Sequence, residues 1–167
     1  MRIDHVVTYL AMTTPEQLRP IPHVEGVSLE RIPATADVLA ETRACVGAPF
    51  RWSSAEWARR RFQENVRHWL IRIDGSIAGV ATLLMDVREG VEIDTFGLVP
   101  ECIGRGYGGY ALTLTIEQAW AFAPAEPSSV RRVWLHTSST DHPHALRNYE
   151  RRGFHRTHRE KRTHKPD

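Results

Sequence analysis

The residues with the clearest chemical potential lie in one run, Phe96-Gly97-Leu98-Val99-Pro100-Glu101-Cys102-Ile103-Gly104-Arg105-Gly106-Tyr107-Gly108-Gly109. An apolar, strand-like stretch ends at Pro100 and feeds closely spaced glycines that open a helical pattern. Glycine permits positive φ, and its amides can approach an anion closely. A helix N-terminus adds unpaired N–H groups and about half a positive charge, so the junction suits a phosphate or pyrophosphate. The plain alternative is a turn and helix start with no ligand. Gly104-x-Gly106-x-x-Gly109 also matches the dinucleotide fingerprint, but that fingerprint follows the first strand of a doubly wound sheet and needs an acidic residue ending the next strand. Here several strand-like segments come first, the next strand ends Leu135-His136-Thr137, and Glu126 lies in a loop pattern between Ala125 and Pro127. A nicotinamide enzyme is therefore a distant third reading. No Gly-Lys-Ser/Thr follows the glycines, which excludes a nucleotide P-loop.

Upstream, Glu92 and Asp94 stand inside the strand-like Val91–Thr95, where acidic residues are depleted. Alternation predicts Glu92, Asp94 and Phe96 on one face unless a bulge intervenes. Glu92 is the first candidate for a general base; the competing reading is a solvated sheet edge. His136, ending the strand after the helix, is a second candidate base or substrate contact, against a hydrogen-bonded structural histidine. No G-x-S-x-G motif occurs and Cys102 reads as a bystander thiol, so no covalent nucleophile is implied. His155-x-x-His158, with His142, His144 and His164, has no Cys or carboxylate at ligand spacing, and no metal is expected. Arg59-Arg60-Arg61 reads as a solvated helix face, and Trp52, Trp57 and Trp69 as core or acceptor-pocket wall. No nucleic-acid partner is expected.

Two motifs in order carry a family resemblance. The first is a strand ending in the form L-x-V-x-P, here Phe96-Gly97-Leu98-Val99-Pro100, leading into the glycine loop. The second is Ala145-Leu146-Arg147-Asn148-Tyr149-Glu150-Arg151-Arg152-Gly153-Phe154. Together they resemble the GCN5-related N-acetyltransferase (GNAT) superfamily, with its loop R/Q-x-x-G-x-G/A and its later A-L-x-x-Y-x-x-x-G-F helix. The resemblance covers about Val27 to Phe154 and is specific in these two motifs. It implies an α+β, three-layer fold with a central mixed, mostly antiparallel, twisted sheet flanked by helices. It also implies acetyl-CoA as co-substrate. Backbone groups around Phe96 and Leu98 would pair with the pantetheine arm like an added strand. Ile103, Gly104, Arg105, Gly106, Tyr107, Gly108 and Gly109 would hold the pyrophosphate. Tyr149 matches the tyrosine that protonates the departing thiolate in many relatives. His142 stands where many relatives have a cofactor-touching asparagine, and Asn148 is a further cofactor contact. Ile103 replaces the usual Arg or Gln, at a site that contributes mainly through its backbone.

The expected function is transfer of an acetyl group to a primary amine of a small molecule or peptide. The alternative is a catalytically silent acyl-CoA-binding sensor or partner protein of the same fold.

The elements that must position these residues follow from periodicity. His5–Met12 is nearly all apolar, β-branched or aromatic and reads as a strand; Thr14–Gly26, with three prolines, is a loop. Val27–Ile32, Val66–Asp74, Ile77–Met85, Val91–Val99 and Val130–Thr137 are further strands, with a hairpin at Asp74-Gly75. Helices are predicted over Thr35–Val46, Ala55–Glu64, Tyr107–Phe122 and His144–Arg152, the last stopped by Gly153, before a final strand Phe154–Arg159. Many relatives end with two strands after the Gly-Phe motif, and only 13 residues follow Phe154. We therefore expect Val6–Met12 to pair within the central sheet in place of the missing strand, within its own chain or exchanged in a homodimer. The organisation expected is one domain over 1–167, with 1–26 an N-terminal extension, 27–154 the family-like core and 155–167 a short basic tail.

Composition agrees with this class. The 167 residues are 41% hydrophobic and 25% charged, with net charge +2, ordinary for a globular domain and too mild to imply nucleic acid. Of the 22 basic residues, only Lys161 and Lys165 are lysines. No apolar run approaches a membrane span and no secretion signal opens the chain, so a cytoplasmic protein with no membrane partner is expected. Cys45 and Cys102 have no metal or redox spacing.

Overall fold

A computed structural model describes residues 3–46, 59, 63, 65–86, 88, 90–122 and 130–164. The predicted helix over Ala55–Glu64 and the positions of Trp52 and Trp57 fall almost wholly outside these residues. The strands are β1 (Ile3–Met12), β2 (Val27–Ile32), β3 (Val66–Ile73), β4 (Ser76–Asp86), β5 (Gly90–Leu98), β6 (Val133–Ser138) and β7 (His155–His164). The α-helices described are α1 (Asp37–Cys45), α2 (Gly108–Trp120) and α3 (Ala145–Arg151). They build one seven-stranded sheet in the order β2-β3-β4-β5-β6-β1-β7. Every neighbouring pair is antiparallel except β5 and β6, which α2 joins by a crossover.

Alternation along the strands sorts the core into two sides. Trp69, Ala81, Leu83, Val91, Ile93, Val133 and Leu135 face Leu112, Ile116 and Ala119 of α2, with Tyr149 and Phe154 completing the cluster. Leu70 and Val80 point the other way and bury Leu39 of α1. The result is a three-layer α/β/α arrangement, as expected. The β3–β4 hairpin turns at Asp74 (φ +50°) and Gly75 (φ +82°), two successive left-handed residues of the kind a tight hairpin requires.

The N-terminal strand behaves as the sequence leads one to expect. β1 lies between β6 and β7 of its own chain, pairing with β6 from Val7–Ser138 to Met12–Val133 and with β7 from Ile3–His164 to Ala11–His155, with one register shift between Tyr9 and Leu10. Val7, Leu10, Ala11 and Met12 are buried. The far end of the chain differs from expectation. The residues after Phe154, read above as a strand to Arg159 and a basic tail, form a ten-residue strand. Its side chains described are all exposed. An edge strand needs only backbone pairing on one side, so its charged sequence carries no apolar alternation to reveal it, and the charges discourage edge-to-edge association.

Candidate active site

After β5 the chain makes a 3-10 turn at Pro100–Cys102 and passes Gly104 (φ +77°) and Gly106 (φ +87°) before α2 begins at Gly108. A Cβ at Gly104 or Gly106 would meet open space, so backbone conformation alone demands glycine there. No side chain caps α2, and its first turn closes from the Ala111 N–H to the Tyr107 carbonyl at 3.0 Å. The amides of Gly108, Gly109 and Tyr110 are thus left without an acceptor within the helix. Asn148 of α3 donates from Nδ2 to the Gly108 carbonyl at 3.3 Å, tying α3 to this end of α2. Ile103 and Arg105 are exposed on the loop. An uncapped helix start with open space before it fits a phosphate-bearing ligand.

Beside this loop the sheet opens. β5 and β6 pair only at Val91–Val133 and Glu92–Trp134. Beyond Glu92 the β6-facing edge of β5, through Phe96 and Leu98, has no strand partner among the described residues. A bulge lies at the same point: Thr82 pairs with Thr95 and Leu83 with Ile93, leaving Asp94 as the extra residue. The bulge corrects the expectation from simple alternation. Glu92, Asp94 and Thr95 face the α1 side, whereas Phe96 turns back to pack beneath α2.

Arg43 of α1 pins this bulge. It is buried, donates from Nη1 to Thr95 Oγ1 at 2.7 Å and stands 3.9 Å from Asp94 Oδ2, and Thr95 Oγ1 in turn donates to Asp94 at 2.9 Å. Asp94 is therefore the buried anchor of the bulge and is occupied as such. Glu92 keeps a part-exposed carboxylate, with its Oε1 3.8 Å from His136 Nε2. The two sequence candidates for base thus meet on one face of the splay. Tyr9 of β1 lies beside them, its ring 5.4 Å from that of His136 and stacked at 4.1 Å on His158. Its hydroxyl accepts from Arg162 at 2.6 Å and donates to Glu160 at 3.4 Å. Burial raises the pKa of that phenol, opposed by the positive charge of Arg162.

Tyr149 is on the other side. Its ring is buried against the core, edge-to-face with Phe154 at 6.2 Å. His142 is exposed, and its Nδ1 accepts from the His144 amide at 3.2 Å. The sequence reading missed Arg43, Tyr9 and Arg152. Of these, Arg152 alone leaves a local signal, because Ala145, Tyr149 and Arg152 share one helical stripe. Among the described residues no group of three His, Cys, Asp or Glu side chains gathers to hold a metal ion, and no helix is long and apolar enough to cross a membrane. A depression of about 560 Å³ lined by Arg31, Pro33, Gln63, Arg67 and His68 lies beside β2 and β3, away from the splay.

Solved structures share this architecture. A GCN5-related N-acetyltransferase from Sphaerobacter thermophilus superposes with a TM-score of 0.67 at 20% identity, over 95% of this chain and 51% of that one. One from Kribbella flavida gives 0.63 at 22% identity, over 90% and 54%. A putative GNAT-family acetyltransferase from Novosphingobium aromaticivorans gives 0.63 at 20%, over 96% and 64%. Identities this low establish the fold, and the chain spans only 51% to 64% of the length of these relatives. No curated protein sequence matches the chain. The Acetyltransferase (GNAT) family model, however, matches residues 35–154, from the start of α1 to the Gly153-Phe154 pair. With most of the chain matched and the splayed sheet that goes with it, this protein belongs to the GNAT acetyltransferase family.

Proposed function

We propose that the chain is an N-acetyltransferase that passes the acetyl group of acetyl-CoA to a primary amine of a small molecule or peptide by direct attack. One observation carries the reading: the splay beyond Glu92 opens between an uncapped, glycine-led helix and the Glu92–His136 pair. Acetyl-CoA supplies an activated thioester carbonyl. The amides of Gly108, Gly109 and Tyr110, with the loop from Ile103, bind its phosphates. The open edge of β5 around Phe96 and Leu98 pairs with an extended pantetheine chain, and its free N–H groups are suited to an oxyanion. Glu92, with His136 beside it, accepts the amine proton on the α1 side, directly or through water. Tyr149, entering from the α3 side, returns a proton to the thiolate that leaves. No covalent enzyme intermediate is needed.

The test is incubation of the purified chain with acetyl-CoA and a panel of amines and peptides. Thiol release is followed, and products are identified by the added mass of one acetyl group. Turnover with at least one amine is the expected result. Tight binding of acetyl-CoA with no turnover on any acceptor would replace this reading with a silent acyl-CoA-binding protein.

A further inference from the structure

We propose that Arg152 is the counter-charge for a phosphate group of acetyl-CoA, an inference that rests on the cofactor reading above. Arg152 is the C-cap of α3, continuing its inward stripe, and is only 8% exposed. Its Nε is sealed from water without a hydrogen-bond partner, and among the described residues its guanidinium makes no hydrogen bond or ion pair. Among the described residues no carboxylate balances it: burial, and then repulsion from Arg151, push its pKa down. A guanidinium remains protonated and carries five donors in a fixed fork, so it is a costly group to bury unpaired.

Its position says what would pair it. Nη1 lies against Gly109, the second residue of α2, where a Cβ would collide with it. Glycine at 109 makes room for the guanidinium beside the first turn of α2. From that turn the amides of Gly108, Gly109 and Tyr110 also look for an acceptor. The loop before β2 holds the arrangement in place: the Arg19 N–H donates to the Arg152 carbonyl at 2.9 Å, and the Ile21 side chain packs on Gly109. A full positive charge and three oriented amides, with no described acid between them, form a site for an anionic oxygen-rich group. A phosphate meets that description and can take the fork in bidentate fashion. Packing of the arginine stem alone would not require the terminal nitrogens to lie there.

The experiment compares the parent chain with Arg152→Met and Arg152→Lys by calorimetric titration of CoA, dephospho-CoA and S-acetylpantetheine, and by thermal melting without ligand. Methionine keeps the bulk of the stem and removes the charge; lysine keeps the charge and loses the fork. CoA affinity should fall about 10- to 100-fold in Arg152→Met and less in Arg152→Lys, while binding of phosphate-free S-acetylpantetheine stays unchanged. The ligand-free melting temperature of Arg152→Met should be equal to or above that of the parent. A loss that persists with dephospho-CoA assigns the contact to the pyrophosphate; a loss confined to CoA assigns it to the 3′-phosphate. CoA bound as tightly by Arg152→Met as by the parent would overturn the proposal and leave Arg152 a packing residue. A parent chain that binds no CoA would instead overturn the cofactor reading itself.

Discussion

Glu92 and Tyr149 belong to opposite sides of the sheet, and their expected contributions separate accordingly. Tyr149→Phe keeps the ring that packs on Phe154 and removes only the hydroxyl. In the proposed reaction kcat should fall by roughly 10- to 10⁴-fold with acetyl-CoA affinity little changed. A kcat equal to the parent's, with chemistry shown to be rate-limiting, would remove Tyr149 from the mechanism. In the same proposed reaction Glu92 takes the amine proton, so Glu92→Gln should lower kcat/KM and change its pH profile, whereas an unchanged profile would assign the proton to His136 or bulk water. Asp94 plays a different part despite its proximity. Its carboxylate is held among Arg43 and Thr95 beneath the bulge, so its loss is expected to register as lost stability.

Glycines at two element boundaries look alike in sequence but answer to different constraints. Gly106 (φ +87°) has nothing near a built Cβ, so Gly106→Ala should cost only the left-handed strain, about 1–2 kcal/mol. Gly106→Asp adds a negative charge ahead of the uncapped turn of α2 and should abolish measurable acetyl-CoA binding in a titration while the fold persists. Gly153 (φ +106°) ends α3, and there a Cβ would run into the Gln17 carbonyl. Gly153→Ala carries both the strain and the overlap and should cost more than about 3 kcal/mol, read as a fall in denaturation midpoint. Equal melting temperatures for the two alanine variants would show that the loop before β2 does not pack on α3 as described. The β5 bulge works at the same scale: one inserted residue ends the β5–β6 ladder near Glu92 and opens the site.

For the molecule as a whole, the decisive element is β1. It is an interior strand, and its removal would strip β6 of one neighbour and β7 of the only one it has among the described residues. Leu10 and Met12 also belong to the same core as Leu112 and Ile116 of α2. Deleting residues 1–12 should therefore abolish cooperative unfolding of the whole domain. A truncated chain that melts at the parent temperature would refute this assignment. Because β1 pairs with β7, which lies about 150 residues further along, the sheet is completed only by a long-range step that favours slow folding.

What the sequence determined by itself is what local chemistry dictates. The Asp74-Gly75 hairpin, the glycine junction ahead of α2, the stop of α3 at Gly153 and the apolar run of β1 are each legible because backbone preference and periodicity act over a few residues. Even the insertion of β1 into the sheet could be argued, since the largely apolar run His5–Met12 cannot stay in water and the segment after Phe154 reads as no apolar strand. Other features only the tertiary structure decided. The bulge that turns Phe96 away from Glu92, the buried arginine of α1 behind it, the length of β7 and the unpaired guanidinium at Gly109 depend on partners far along the chain. A bulge is a mismatch between two strands, and an edge strand is held by its neighbour's backbone. A buried charge is defined by what fails to surround it. None of these is a property of a short segment, so each became readable only once the chain had folded back on itself.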